Sequence, residues 1–173
     1  MFATDALTAA MPAYCADLAH DLTKVLSESR LAVSARWGVA LASAVALRDG
    51  RLSEAFEADA RAAGVGAETL EDARAAAALM AMTNVYYRFV HELGGDYEKL
   101  PAALRMKRSA RPAGARADFE LFAVAVSALG GCAACMGHHE AKGRAAGLSA
   151  SDINDAVRIA AAVSGASNAL WQA

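Results

Sequence analysis

The sequence predicts an all-α protein, a duplicated helical bundle. Three observations lead to that class. Apolar residues recur at three- and four-residue spacing along most of the chain. No alternating apolar pattern of useful length occurs, so essentially no strand is expected. A segment also repeats at an offset of 83 residues, Arg61-Ala62-Ala63-Gly64 returning as Arg144-Ala145-Ala146-Gly147. Over Arg61 to Ala78, nine of eighteen positions are identical to their counterparts. Alanine is abundant and contributes to that match, but the match spans a helix end, a turn and a helix start.

The elements follow in order. Residues 1–11 predict a short helix or arm. Pro12 suits the first turn of a helix reaching about Ser27. Its apolar stripe is Cys15, Leu18, Leu22, Val25 and Leu26, which makes Cys15 a buried small hydrophobe and leaves His20 exposed. Residues 31–48 predict a buried helix stopped at Asp49-Gly50. Ser53 is a candidate cap for the next helix, which Gly64 ends. One long pattern runs from Glu68 to about His91, closed by Gly94-Gly95. A helix is expected from about Ala117 to Leu129, with Phe119, Phe122, Val126 and Leu129 inward. Another runs from near Cys132 to about Ala146. The last covers residues 152–171, rich in small side chains, with Ser149 and Asp152 offering a partial capping pattern. Trp37, Trp171, Tyr86 and Tyr87 read as packing residues, and His91 as a cation near a helix end.

Between the halves, residues 101–117 read as a linker. Pro101, Pro112 and Gly114 break helices there. Arg105, Lys107, Arg108, Arg111 and Arg116 make it basic, with no acid among them. The plain reading is a solvated connector. The functional reading is a docking patch for an acidic partner. Nucleic acid fits poorly, because no aromatic side chain interleaves the charges. The layout is therefore a single all-α domain of two repeats. Residues 1–100 hold the N-terminal helix and a degenerate first repeat, 101–117 the linker, and 118–173 the second repeat.

Composition narrows the function. The chain has 173 residues and a net charge of −2, which gives no general pull toward nucleic acid or membrane. No segment reaches the roughly eighteen unbroken apolar residues of a membrane span. The first residues carry no basic region of the kind that opens a signal peptide. Three cysteines make an odd count and an unlikely disulfide framework, so a reducing, cytoplasmic setting is expected.

Chemistry concentrates in Glu120 to His139, which holds two of the three cysteines and two of the four histidines. Cys132 and Cys135 form a Cys-x-x-Cys just after the Gly130-Gly131 break. A dithiol at a helix start can cycle with a disulfide, and a helix N-terminus lowers a thiol's pKa. At about 100° per residue, Cys132, Cys135 and His139 share one face. His138 is swung roughly 120° from Cys132 by the same geometry, so His139 is favoured as the base. Glu120 lies before the glycine break, and helix periodicity does not place it. A carboxylate reaching His139 would orient the imidazole. For the nucleophile, the helix dipole favours Cys132 and proximity to a base favours Cys135. The offset of 83 sets Trp37 opposite Glu120, Asp49 opposite Cys132, Leu52 opposite Cys135 and Phe56 opposite His139. The first copy then keeps the scaffold and no reactive group.

Glu120, Cys132-x-x-Cys135 and His139, at these spacings, resemble the signature of the alkyl hydroperoxidase D (AhpD) family, within the carboxymuconolactone decarboxylase-like group. The run from Gly147-Leu148-Ser149 to Val163-Ser164-Gly165 is similar to that family's last helix, and length and layout agree. The resemblance implies an AhpD-type bundle acting as a thiol peroxidase and disulfide reductase. It implies Cys135 as the peroxidatic cysteine passing through a sulfenic acid, Cys132 as the resolving cysteine, and His139 with Glu120 as a proton relay. It implies a trimer with no bound cofactor or metal. The electrons would come from the dihydrolipoyl group of a lipoyl-bearing acyltransferase. They would go to organic peroxides, or to the peroxiredoxin AhpC through a mixed disulfide at Cys135. One departure stands out. Some members carry a second relay histidine just before the second cysteine, where this chain has Ala134. Competing readings are a zinc half-site, a non-enzymatic redox sensor or interaction module, and a carbon-chemistry relative without need of a dithiol. Ligands packed on one helix at these spacings do not converge on one tetrahedral zinc.

Overall fold

The computed structural model describes residues 2–173, and within them every regular element is helical. The helices are α1 (Ala3–Ala9), α2 (Ala16–Glu28), α3 (Val33–Ala46), α4 (Gly50–Ala62), α5 (Ala67–Leu93), the single turn α6 (Lys107–Ala110), α7 (Arg116–Leu129), α8 (Ala133–Ala145) and α9 (Ala150–Trp171). Short 3₁₀ turns lie at Ala13–Cys15 and Gly95–Lys99. No helix of the described residues is long and apolar enough to cross a membrane. Met1, at the start of the predicted N-terminal arm, falls outside the described residues.

The centre is the crossing of α3 and α7. Both are apolar around most of their circumference, the composition of a helix packed on all sides. From Trp37 to Ala44 and from Phe119 to Ser127 every residue is buried. Their close approach depends on Gly38. A Cβ built there would sit 2.2 Å from Cζ of Phe122, so the phenyl ring occupies the space a side chain would need. Around this crossing, α5 packs on both α3 and α7, and α9 packs on both α7 and α3. α4 covers α3, α8 covers α7, and α2 lies on α9.

The helix bounds carry the 83-residue spacing seen in the sequence. α3 and α7 are separated by it at both ends, as are α4 and α8, and α5 and α9 at their starts. Even the turns correspond. Asp49 caps α4 by accepting from the Leu52 N–H, and Cys132 caps α8 by accepting from the Cys135 N–H. Two buried aspartates complete the pattern. Asp72 on α5 receives the Ala113 and Gly114 N–H groups ahead of α7, at 3.3 and 2.7 Å. Asp155 on α9 receives the Arg30 N–H ahead of α3 at 3.1 Å. Each triplet's third helix thus holds the entry to the other's first.

Several local expectations change. The cap of α4 is Asp49 and not Ser53, whose hydroxyl instead donates back to the Asp49 carbonyl at 2.7 Å. Asp49 stands at the true start of the helix, and Ser53 is already inside its first turns. Trp171 is not a packing residue. It is 84% exposed, in the last turn of α9 beyond the Leu170 that closes the core. Leu129 does pack against the core, but as the last residue of α7 it is only half-buried. The basic segment is not simply a solvated connector: Arg108 is tied to Asp72 and Glu71, and Arg116 already belongs to α7. Cys15 is buried and free, and His20 exposed, as their places on and off the α2 stripe require.

Candidate functional site

Gly130-Gly131 ends α7 and turns the chain into α8. Gly131 takes φ +64°, in the left-handed region that costs other residues most. Cys132 then sits at the N-cap in extended conformation, and its Sγ accepts the Cys135 N–H at 3.3 Å. The two cysteines are joined as a disulfide, with Cα atoms 5.3 Å apart, inside the ordinary range. Cys132 is fully buried and Cys135 5% exposed. The Cys135 sulfur also lies 3.8 Å from the Thr83 carbonyl oxygen on α5.

One turn on, His139 is buried, and its Nδ1 lies 2.6 Å from Glu120 Oε2. Glu120 is fully buried on α7, not the solvated acid that its place near a helix start permits. The packing of α7 on α8 brings the pair together, and that contact lies beyond helix periodicity. A carboxylate on Nδ1 fixes the ring. The neutral imidazole keeps its proton on Nδ1 and its lone pair on Nε2. Burial is the strongest pull on the Glu120 carboxyl and works to raise its pKa. The hydrogen bond and charge of His139, the hydrogen bond from Arg116 and the charge of Lys142 outweigh it, holding the carboxyl below its ordinary value.

Arg116, a linker cation by its place in the sequence, belongs to the site. Its Nη1 donates to Glu120 Oε1 at 3.2 Å, and its guanidinium also donates to the carbonyls of Ser109 and Ala110. It therefore fixes the second oxygen of the carboxylate while tying down α6. The signal was present, since Arg116 and Glu120 stand at i and i+4. Pro112 and Gly114 drew the helix start one residue too late.

Beside these groups lies a cavity of about 410 Å³. Cys135 and His139 line it together with Met80, Tyr87 and Met106, and Cys132 is absent from its wall. Ala134 and His138, one helical turn apart, also face it. His138 is held below its ordinary pKa by burial first, then by the charges of Lys142 and His139, with Glu120 opposing.

In the first triplet the equivalent positions also meet, with other chemistry. Trp37 and Phe56 pack with ring centroids 6.3 Å apart where Glu120 and His139 are hydrogen-bonded, and a buried Leu52 stands for Cys135.

Fold and site define a class: an all-α bundle with a Cys-x-x-Cys at a helix start and a buried carboxylate–imidazole pair beside it. A profile of the carboxymuconolactone decarboxylase family matches residues 95–173. An alkyl hydroperoxide reductase AhpD of Anaeromyxobacter dehalogenans strain 2CP-C is 49% identical over 171 residues, covering 98% of this chain and 91% of the relative. An AhpD of Caulobacter vibrioides strain NA1000 is 43% identical over 167 residues, with 96% and 91% coverage. One from Bradyrhizobium sp. strain BTAi1 is 44% identical, with 88% and 84% coverage. The chain belongs to the AhpD family.

Proposed function

We propose that the protein is an alkyl hydroperoxide reductase working through a Cys132–Cys135 dithiol/disulfide cycle. The observation that supports this most is the position of Cys135. It is the one sulfur of the pair on the cavity wall, it shares that wall with His139, and the His139 ring is held by a buried carboxylate.

In the reduced enzyme, His139 Nε2 accepts the Cys135 thiol proton, and the thiolate attacks the distal oxygen of an organic hydroperoxide. The O–O bond breaks, Cys135 becomes a sulfenic acid, and the leaving alkoxide takes the proton back from the imidazolium as the alcohol departs. The Cys132 thiol then attacks the sulfenic sulfur, releasing water and closing the disulfide. A dihydrolipoyl group on a partner acyltransferase supplies two electrons and two protons. Its thiolate attacks Cys135 and its second thiol resolves the mixed disulfide, leaving the lipoyl group oxidised. The same reduced Cys135 can instead open the disulfide of a peroxiredoxin AhpC, with Cys132 releasing it as a dithiol. The protein works in the cytoplasm, as a homotrimer, without a bound cofactor.

The test is steady-state peroxide consumption with a reduced lipoyl domain as donor, with and without peroxiredoxin, beside Cys135→Ser. Turnover without peroxiredoxin, lost in the variant, identifies a self-sufficient peroxidase that manages with Ala134 in place of a second relay histidine. Turnover only with peroxiredoxin identifies an electron-transfer adaptor. No turnover under either condition would remove the enzyme reading and leave a redox sensor.

A further inference from the structure

Cys135 lies on the cavity wall, and Cys132 is buried off it. With Cys135 5% exposed and Cys132 fully buried, a reductant must reach into the cavity to meet the disulfide, as a slender group extending from a carrier does. What guides the carrier is written in the segment that walls the cavity. Met106, Ser109 and Ala110 face the cavity, and Arg105, Lys107 and Arg111 stand among them in sequence.

The five cations of this segment fall into two sets. Arg108 is spent on Asp72 and Glu71, and Arg116 on Glu120 and two carbonyls. Arg105, Lys107 and Arg111 are exposed, and none pairs with an acid among the described residues. Lys142, on α8, adds a fourth cation with no acidic partner there, at the cavity wall itself. Nearby acids are already engaged: Glu140 with Arg144, and Glu71, Asp72 and Glu120 as above. A chain of net charge −2 thus concentrates uncompensated positive charge beside one opening.

We propose that Arg105, Lys107 and Arg111 form a docking surface for an acidic protein domain that delivers its reducing dithiol into the cavity on a flexible arm. This rests on the reading of the site as a dithiol peroxidase. A small anionic peroxide bound in the cavity would meet Lys142, whereas these three side chains belong to the outer surface and suit a macromolecule. No aromatic residue lies between them to stack bases, which favours protein over nucleic acid. Charges at such a rim act on encounter and register, and salt screens them.

The experiment compares two donors on the full-length protein: a reduced, acidic lipoyl domain and free, neutral dihydrolipoamide. The variant is Arg105→Glu/Lys107→Glu/Arg111→Glu, which replaces no residue of the cavity lining. KM for the protein-borne donor should rise about tenfold, while KM and kcat for the free donor stay within about twofold. Raising salt should weaken the unsubstituted protein's use of the lipoyl domain and leave its use of dihydrolipoamide unchanged. An unchanged KM for the lipoyl domain, or an equal rise with both donors, would overturn the docking surface. So would a loss confined to a carboxylate-bearing hydroperoxide, or to binding of a single-stranded oligonucleotide. Absence of turnover with either donor in the unsubstituted protein, both with and without peroxiredoxin, would refute the enzyme reading itself, and the docking surface with it.

Discussion

Glu120→Gln changes one buried charge and almost no volume. The carboxylate accepts from His139 at 2.6 Å through Oε2 and from Arg116 at 3.2 Å through Oε1. A carboxamide has one oxygen and one NH₂ group, so it serves only one of these two donors. If its oxygen faces His139, the NH₂ group confronts the Arg116 guanidinium. If its NH₂ faces His139, the imidazole must move its proton to Nε2 and can no longer accept from Cys135. A hydrogen bond to a charged group contributes about 1.5–3 kcal/mol. The Arg116 side chain is 39% exposed, so water takes up part of that loss. The expected destabilisation at pH 7 is therefore about 2 kcal/mol, below the roughly 3–5 kcal/mol of a wholly buried broken pair. The rate of the peroxide step should fall by about 10²–10³, within the roughly 10²–10⁴ that a positioned base contributes.

The pH dependence gives a second reading of the same change. The folded-state pKa of Glu120 lies below the ordinary value of 4.5. Its stability contribution is then fully present above the unfolded value and is lost as pH falls through the folded one. Glu57 and Asp152 are also held low, by hydrogen bonds from arginines and from Ser149 respectively, but both occur in either protein and cancel in the difference. The stability gap between parent and variant should thus be widest at neutral pH and shrink as the pH is lowered below that of an ordinary carboxyl. Urea denaturation at several pH values measures the gap, and stopped-flow oxidation of the prereduced protein measures the rate. A variant within about threefold of the parent rate would refute the relay role of the pair. A stability gap that does not shrink on acidification would show that the charge is not its source.

Three further outcomes are expected. Cys135→Ser should abolish trapping of a sulfenic acid by dimedone while Cys132→Ser preserves it, and the reverse pattern would exchange their roles. Arg116→Met should lower kcat about tenfold by releasing Glu120, and raise the peroxide KM by releasing α6 from the cavity wall; Arg116→Lys should recover part of the kcat loss, and a variant with unchanged kinetics would show that Arg116 is dispensable to the site. Gly38→Ala should cost about 3 kcal/mol or more in urea denaturation, because its Cβ would lie 2.2 Å from Phe122 Cζ, and Phe122→Leu in the same chain should restore part of it.

The helices were legible because periodicity is local. Leu22, Val25 and Leu26 announce the buried face of α2, and Gly64 and Gly147 announce the turns after α4 and α8 with no need of distant residues. The candidate site was legible in its parts and not in its assembly. Cys132, Cys135 and His139 lie on one stretch, so helix geometry relates them. Glu120 meets His139 only through the packing of α7 on α8, and spacing along the chain cannot supply that across a glycine break. The cavity was wholly illegible, since Met80, Tyr87 and Met106 come from segments whose only common feature is where they end up. The linker misled for a related reason. Its prolines and charges describe an exposed strand of chain, but Asp72, far away in sequence, draws Ala113 and Gly114 onto α5.

The shared spacing of the two triplets bears on why the site stands where it does. We infer that α3–α5 and α7–α9 are two copies of one unit, each holding the other through Asp72 and Asp155. An N-cap at the second helix is then part of the scaffold before any chemistry is placed there. At α4 the cap is the Asp49 oxygen, and at α8 it is the Cys132 sulfur, each receiving the N–H three residues on. Putting a cysteine at a cap sets its sulfur against the positive end of a helix at no cost in backbone geometry. The partner positions diverge further. Trp37 against Phe56 is an apolar contact that stabilises its copy directly. Glu120 against His139 buries a charge that must be matched by His139 and Arg116 together, an arrangement apolar replacement often equals or exceeds in stability. The copy that keeps the costlier pair is the one whose cavity contains a thiol. Glu120→Trp/His139→Phe, which places the first copy's contact in the second, should therefore still fold, at a cost for the added volume of Trp, and reduce no peroxide. If that double variant unfolds instead, the two copies are not interchangeable in their packing, and the inference of a common unit fails at the positions where it matters most.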